Sequence, residues 1–216
     1  MSSAKLIQFW DASPPPEVAD LMDGWRNLNP DFEYLRFDEP AAEQFISDKF
    51  GPAYLRAFRA CALPAMKSDY FRYCALHALG GLYVDAGTQC VRPASLLTGT
   101  AGRGLLLSVR GRVRNGFMYF RRPNDVLMDY AIATATRNIA ARLSNNVWKV
   151  TGPGILTRLY YETSPARDEA FRDITIIKSR NTKPYFLFRW DLGYKRNGGH
   201  WSRRQAAASI FASVDE

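Results

Sequence analysis

Cysteine is scarce in this chain. Cys61, Cys74 and Cys90 are an odd number, scattered, and without the paired spacing of a metal site. That pattern excludes a disulfide framework and a thiolate zinc centre, and it predicts free, mostly buried thiols in a reducing compartment. Long apolar runs are also lacking. No stretch approaches the roughly 20 residues that cross a bilayer, and no charged-then-apolar leader opens the chain, so a cytoplasmic location is expected. Internal repeats and low-complexity segments are absent too. Acidic residues are outnumbered, 21 against 29 Lys and Arg, which leaves a net charge of +8. The basic residues gather at 103–122 and 195–204 rather than along one helix, and no helix-turn-helix, zinc-finger or RNP pattern accompanies them. Nucleic acid is therefore not an expected partner. An anionic substrate fits the charge, as does peripheral contact with an anionic inner membrane leaflet.

What is present suits one globular domain over residues 1–216, with 47% hydrophobic and 23% charged residues. Thirteen Phe, eleven Tyr and five Trp would serve a carbohydrate or nucleotide cleft as well as a core. Strands are expected at 5–10, 32–37, 82–84, 105–109, 116–120, 174–178 and 185–190. Helices are expected at 15–28, 39–50, 54–61, 65–79, 124–143 (with Asn124 as N-cap) and 155–161. The alternation of strand and helix through the first half predicts an α/β fold, a mostly parallel, Rossmann-like sheet flanked by helices.

The most informative stretch is 65–90. Pro64 can open a helix, since a first-turn position needs no amide donor. Phe71, Cys74, Ala75, Ala78 and Leu79 recur at helical spacing and predict an amphipathic helix. Gly80 and Gly81 follow, where a left-handed residue ends a helix. Leu82, Tyr83 and Val84 make a strand so short and apolar that it belongs at the centre of a sheet. Asp85 then stands at its carboxyl end, the edge of an open α/β sheet where ligands bind. Asp69 and Arg72, at i and i+3, share one helix face. Asp69 can accept hydroxyl hydrogen bonds, and Arg72 offers a planar fork of donors suited to phosphate. The alternative is a surface ion pair and a turn aspartate.

Ser68, Asp69, Arg72 and Tyr73, followed by Gly80, Gly81, Tyr83 and Asp85, resemble glycosyltransferase family 32, the DXD sugar-binding family, in order and spacing. The chain departs from that pattern at Gly87, which stands where the family has its second acid. The resemblance extends roughly over 5–202 and implies a GT-A type single domain. It implies a hexose moved from a nucleotide-sugar, a UDP- or GDP-sugar, to a hydroxyl acceptor on a glycan, a lipid-linked sugar or a protein. Retention at the anomeric carbon and a place in polysaccharide or glycoconjugate synthesis go with it.

The same resemblance implies the site residues. Asp69, Arg72, Asp85 and Asn115 are the expected catalytic set. Trp10, Ser68, Tyr83, Gly152 and Trp201 join Asp69, Arg72 and Asp85 as donor-binding residues. Asp85 and His200 are the expected ligands of Mn²⁺ or Mg²⁺. With Gly87 in the motif, three arrangements stay open: His200, Thr88 or water completes a metal site; basic side chains carry the charge; or the protein binds sugar nucleotides and glycans without turnover. Local readings compete at several positions. Asn115-Gly116 is a strong hairpin-turn signal. Arg110, Arg112 and Arg114 suit an anionic acceptor or a solvated strand edge. Thr151-Gly152-Pro153 suits an anion at a helix N-terminus or a simple cap. His77, inside the long helix, is expected to be structural.

Overall fold

The computed structural model describes residues 3–196, 205–206 and 208–212. The chain opens with β1 (Lys5–Phe9), α1 (Pro16–Leu28) and β2 (Glu33–Phe37). Three helices follow, α2 (Glu39–Phe50), α3 (Pro52–Arg59) and α4 (Pro64–Leu79), before the chain returns as β3 (Gly81–Val84). Then come β4 (Thr88–Cys90), α5 (Ser95–Thr98), β5 (Gly104–Val109) and β6 (Arg112–Phe120). A helical stretch of α6 (Val126–Ala140), α7 (Val147–Val150), α8 (Gly154–Tyr161) and α9 (Pro165–Phe171) leads to β7 (Ile174–Lys178) and β8 (Phe186–Phe188).

Six strands form one sheet in the order β2-β1-β3-β6-β5-β7, and β4 pairs separately with β8. β1 lies parallel to β2 and β3, and β5 parallel to β7, while β6 runs antiparallel to both neighbours. The sheet is thus mostly parallel, with one antiparallel strand set into it. Alternate side chains feed two cores. Ile7 and Phe9 face the layer that contains Phe58, Phe71 and Leu127, and Leu6, Leu82 and Val84 face Trp25 and Leu105 on the other side. β1 pairs with β2 on one side and, on the other, with β3, which the chain reaches from β2 through three helices. The order reverses at β1, so the carboxyl ends of β1 and β3 open a crevice between them.

No β-branched residue interrupts α4, and proline stands in its first turn. The helix is buried more completely than an amphipathic stripe requires: Asp69 through Leu76 are all buried, because the sheet lies on one side and α2, α3 and α6 on the others. Gly80 (φ 64°) ends it in the left-handed region. At Gly81 (φ 88°) a Cβ would stand 2.4 Å from the Lys5 carbonyl oxygen, so glycine lets β3 lie against β1. All four residues of β3 are buried, as its length and composition predict.

Two local expectations fail for identifiable reasons. The β5/β6 hairpin turns at Arg110-Gly111, both at positive φ, while Asn115-Gly116 lies inside β6. Glycine at 116 answers to a close approach by Asp85 and not to a turn, since a Cβ there would meet Asp85 Oδ2 at 2.4 Å. The helix expected from Asn124 begins two residues later and ends at Ala140. Asn124 is left-handed (φ 60°), and Asp125 is the N-cap, its Oδ1 accepting from Leu127 N at 2.9 Å. Val126 is 41% exposed in that first turn.

Replacing Gly81 with alanine should therefore destabilise the fold by more than about 1 kcal/mol, the range in which alanine is forced into positive φ. A lower denaturant midpoint at unchanged m-value would report it.

Candidate active site

A cavity of ≈ 450 Å³ occupies the crevice, within the range of about 300–1,000 Å³ usual for small-molecule sites. Trp10 and Asp11 enter it from the end of β1, and Asp85 to Thr88 from the end of β3. Ser68, Asp69 and Arg72 reach it from α4, and Arg114 to Gly116 from β6. Trp148, Trp190, Tyr194 and Lys195 complete the wall.

The centre of the site is the Arg72 guanidinium, 4% exposed. Its Nη2 lies 3.1 Å from Asp85 Oδ1 and 3.3 Å from Asp69 Oδ1, and donates to Ser68 Oγ at 2.7 Å. Nε donates to the Ser68 carbonyl at 3.1 Å, and Nη1 to the Asn115 carbonyl at 2.8 Å. The guanidinium also stacks on the Tyr83 ring, 4.6 Å from its centroid. Burial alone would lower the Arg72 pKa; the carboxylates of Asp85 and Asp69, with Tyr83 and Tyr73 nearby, override it and raise the value above normal. The fork expected to meet phosphate is committed to the protein itself.

Asp69 is 6% exposed. Its Oδ1 accepts from Asn115 Nδ2 at 2.8 Å and its Oδ2 from Thr151 Oγ1 at 3.4 Å. Burial pushes its pKa up to about 6, against the lowering pull of Arg72 and of these two donors; the nearby Asp85 carboxylate adds to the rise. Asn115 is brought there by an irregularity in β6. Leu106 pairs with Met118 and the next residue, Leu107, with Arg114, so residues 115–117 have no partner on β5. Such a bulge re-aims side chains beside a site. Here it turns Asn115 onto Asp69 and onto the Tyr73 hydroxyl, 3.1 Å away, while the Gly116 carbonyl accepts from Asp85 N at 2.9 Å.

The structure therefore gathers Asp69, Arg72, Asp85 and Asn115, with Ser68 and Tyr83 behind them sharing a 2.8 Å hydrogen bond. Trp10 stands at the cavity mouth, edge-on to Tyr194 with ring centroids 5.1 Å apart. Gly152 lies behind the wall, its carbonyl accepting from the Tyr73 hydroxyl at 3.3 Å; Trp148 and Pro153 of that turn line the cavity instead. His77 packs its ring on Phe50, 5.6 Å away, in a structural setting. His200 and Trp201 lie outside the described residues. Cys61, Cys74 and Cys90 are free and buried.

Trp148, Tyr194 and Lys195 carried no sequence signal as site residues. Lys195 opens one of the two basic clusters, and its position against Gly87 is a tertiary fact. A Cβ on Gly87 would stand 3.0 Å from the Tyr194 hydroxyl and 3.2 Å from Lys195 Nζ. The second acid of a DXD motif would point into that space. Among the described residues no three His, Cys, Asp or Glu side chains cluster as a metal site. Asp85 is paired with a buried arginine, and the nearest neighbour of position 87 is a hydroxyl and a cation. The described residues by themselves do not fit a divalent metal; His200, the other expected ligand, lies outside them.

Residues 15–101 match the glycosyltransferase sugar-binding region containing the DXD motif. An uncharacterised glycosyltransferase of Acanthamoeba polyphaga mimivirus is 25% identical over 186 residues, covering 82% of this chain and 69% of the relative. Inositol phosphoceramide mannosyltransferase 2 of Schizosaccharomyces pombe is 30% identical over 90 residues, 38% of this chain and 24% of that protein. The initiation-specific alpha-1,6-mannosyltransferase of the same yeast is 32% identical over 91 residues, 39% and 22% of the two chains. The match thus spans under a quarter of the length of both mannosyltransferases. Among solved structures, the PaToxG glycosyltransferase superposes with a TM-score of 0.53 at 16% identity, over 79% of this chain and 84% of that one; the two share a fold.

Because the folded state holds the Asp69 proton more tightly than the unfolded chain, the wild type should lose stability as pH rises between the ordinary carboxyl value and about 6. Relative to Asp69→Asn, that loss should be roughly 2–3 kcal/mol. Urea titrations of both proteins from pH 4 to pH 7 check it; parallel pH profiles would contradict the assignment.

Proposed function

Since residues 15–101 match the glycosyltransferase sugar-binding region that contains the DXD motif, we propose that the chain moves a hexose from a UDP- or GDP-sugar to a hydroxyl acceptor with retention of anomeric configuration. The observation that carries this reading is the Asp69–Arg72–Asp85 cluster at the carboxyl edge of β1 and β3, with Asp69 and Arg72 buried and Asp85 open to the cavity. Two of the relatives are named as mannosyltransferases, which supports GDP-mannose as the first donor to try.

In the proposed reaction the bond from the anomeric carbon to the diphosphate oxygen breaks, and a bond to the acceptor oxygen forms on the same face. The acceptor proton passes to the departing phosphate oxygen, so no protein base is required. Asp69 accepts hydroxyls of the transferred sugar, and its rigid hold by Asn115 and Thr151 supplies positioning. Arg72 is a positioning residue that fixes Asp69, Asp85 and the Asn115 backbone relative to one another. Asp85 is the exposed partner of the cluster, its side chain 41% accessible, and faces the donor. Trp10 supplies an aromatic surface for the base. Arg114 and Trp148, which also line the cavity, suit the acceptor side. In the DXD family a divalent metal commonly serves the diphosphate; the residues here favour the second of the three arrangements left open by Gly87, basic side chains in its place.

A second reading follows from Gly87: the same pocket binds a sugar nucleotide without turning it over. Hydrolysis and transfer measured over GDP-mannose and a panel of UDP-hexoses separate the two. Turnover of one donor, reduced about 10²-fold by Asp85→Asn as expected when a positioned group is lost, supports the transferase; tight binding with no turnover supports the binding module.

The acceptor and location are proposed from charge. A net charge of +8 suits an anionic leaflet and a lipid-linked acceptor, and no described helix is long and apolar enough to cross a membrane. Sedimentation with phosphatidylserine vesicles should be strong at low salt and lost by about 0.5 M salt, where screening is short-ranged; binding that resists salt would contradict it.

A further inference from the structure

We propose that the ammonium of Lys195 takes the place of the divalent cation at the donor diphosphate, so that this chain binds nucleoside diphosphates without metal. The inference rests on the transferase reading above and adds which residue neutralises the leaving group. It starts from the charge balance of the cavity. Four of the five Arg72 N–H donors are committed to Ser68, Asn115, Asp69 and Asp85. A diphosphate carries at least two negative charges into the site, so a further cation is needed beside Asp85. Lys195 Nζ stands in that place, 3.2 Å from where a side chain on Gly87 would begin.

The lysine is built into the fold. Glu17 of α1 accepts from the backbone amides of Gly193 at 3.0 Å and Tyr194 at 3.2 Å. Leu192 is buried with Val18, Met22 and Ala86 in a small core under the motif. One ammonium proton goes to the Arg189 carbonyl, and an ammonium has three to give. Among the described residues Lys195 is in no ion pair. Its partial burial disfavours the charged form, and Asp85 is the first of the neighbours that oppose this.

A second observation points to the same ligand. Thr88, one residue past Gly87, lines the cavity and is fully buried, yet its hydroxyl has no hydrogen-bond partner among the described residues. An anionic oxygen bound in the cavity that both residues line would accept that hydroxyl. A carboxylate at position 87 would instead compete with the diphosphate for the ammonium. Glycine there and lysine opposite are two halves of one exchange, in which a fixed cation replaces an acid-bound one.

Calorimetric titration with UDP and GDP, each in EDTA and in Mn²⁺, tests this. Affinity for the preferred nucleotide should be unchanged by EDTA. Lys195→Met should weaken diphosphate binding about tenfold or more, the scale of one lost charge-assisted hydrogen bond, while Lys195→Arg retains most of it. The double variant Gly87→Asp/Lys195→Ala should bind the nucleotide only when Mn²⁺ is present. Thermal unfolding of each variant separates a binding loss from a folding failure, and the Lys195→Arg and double variants keep the test open should Lys195→Met not fold. Wild-type binding that requires Mn²⁺, or that ignores Lys195→Met, overturns the proposal and leaves the transferase reading standing. Absence of UDP and GDP binding under both conditions overturns the two together.

Discussion

A guanidinium buried among two carboxylates is the constraint from which the rest of this site follows. Taking Arg72 out of water costs several kcal/mol unless its charge and its donors are answered. Asp69 and Asp85 answer the charge, the Ser68 and Asn115 carbonyls and the Ser68 hydroxyl answer the donors, and the Tyr83 ring covers one face. Those groups come from three parts of the fold: Ser68 and Asp69 from α4, Tyr83 from β3 with Asp85 just past its end, and Asn115 from β6. The ion cluster therefore fixes the helix, the central strand and the antiparallel strand relative to one another. A buried network that is fully satisfied is rigid in a way an apolar patch is not. Rigidity is what a site that works by positioning requires.

The glycines follow from the same geometry. Gly81 lets β3 close on β1, and Gly116 lets the Asp85 carboxylate approach β6 without meeting a side chain. Both serve to bring backbone and carboxylate closer than alanine would allow. The irregularity at residues 115–117 belongs with them, since Asn115 meets Asp69 where β6 is released from pairing with β5.

How far the sequence carried this depends on whether a signal was local. The helix–Gly-Gly–strand–Asp run is local, and its reading survives in detail: a short buried strand at the centre of the sheet, an acid at its carboxyl end, an aspartate and an arginine one turn apart on the preceding helix. Asn115-Gly116 shows the opposite case. Its local preference is a two-residue turn, but Arg110-Gly111 closes the hairpin, and the glycine at 116 answers to Asp85, 31 positions earlier in the chain. The helix cap at 124–125 was misplaced by one residue because asparagine and aspartate both cap well, and only the left-handed backbone at Asn124 decides between them. The role of Arg72 was legible as charge but not as orientation: spacing put it beside Asp69, and only the tertiary structure turns its donors inward. Lys195 was readable only as one of several basic residues, since nothing local connects it to Gly87, 108 positions away.

That last pair bears on what a degenerate motif means. Loss of the second acid, taken alone, reads as loss of a metal and hence of catalysis. The structure gives the substitution a context in which it is compensated in charge: position 87 has no room for a side chain without moving the Tyr194 hydroxyl and the Lys195 ammonium, and the segment that carries both is tied to α1 by Glu17. A metal held by two acids presents a net charge near zero before the diphosphate arrives, and the lysine arrangement does too, since Arg72 and Lys195 balance Asp69 and Asp85. The second arrangement attracts the diphosphate without a second binding event, at the cost of the geometric control that metal coordination provides. The rigid Asp69–Asn115–Thr151 hold on the sugar side is where that control would then have to reside.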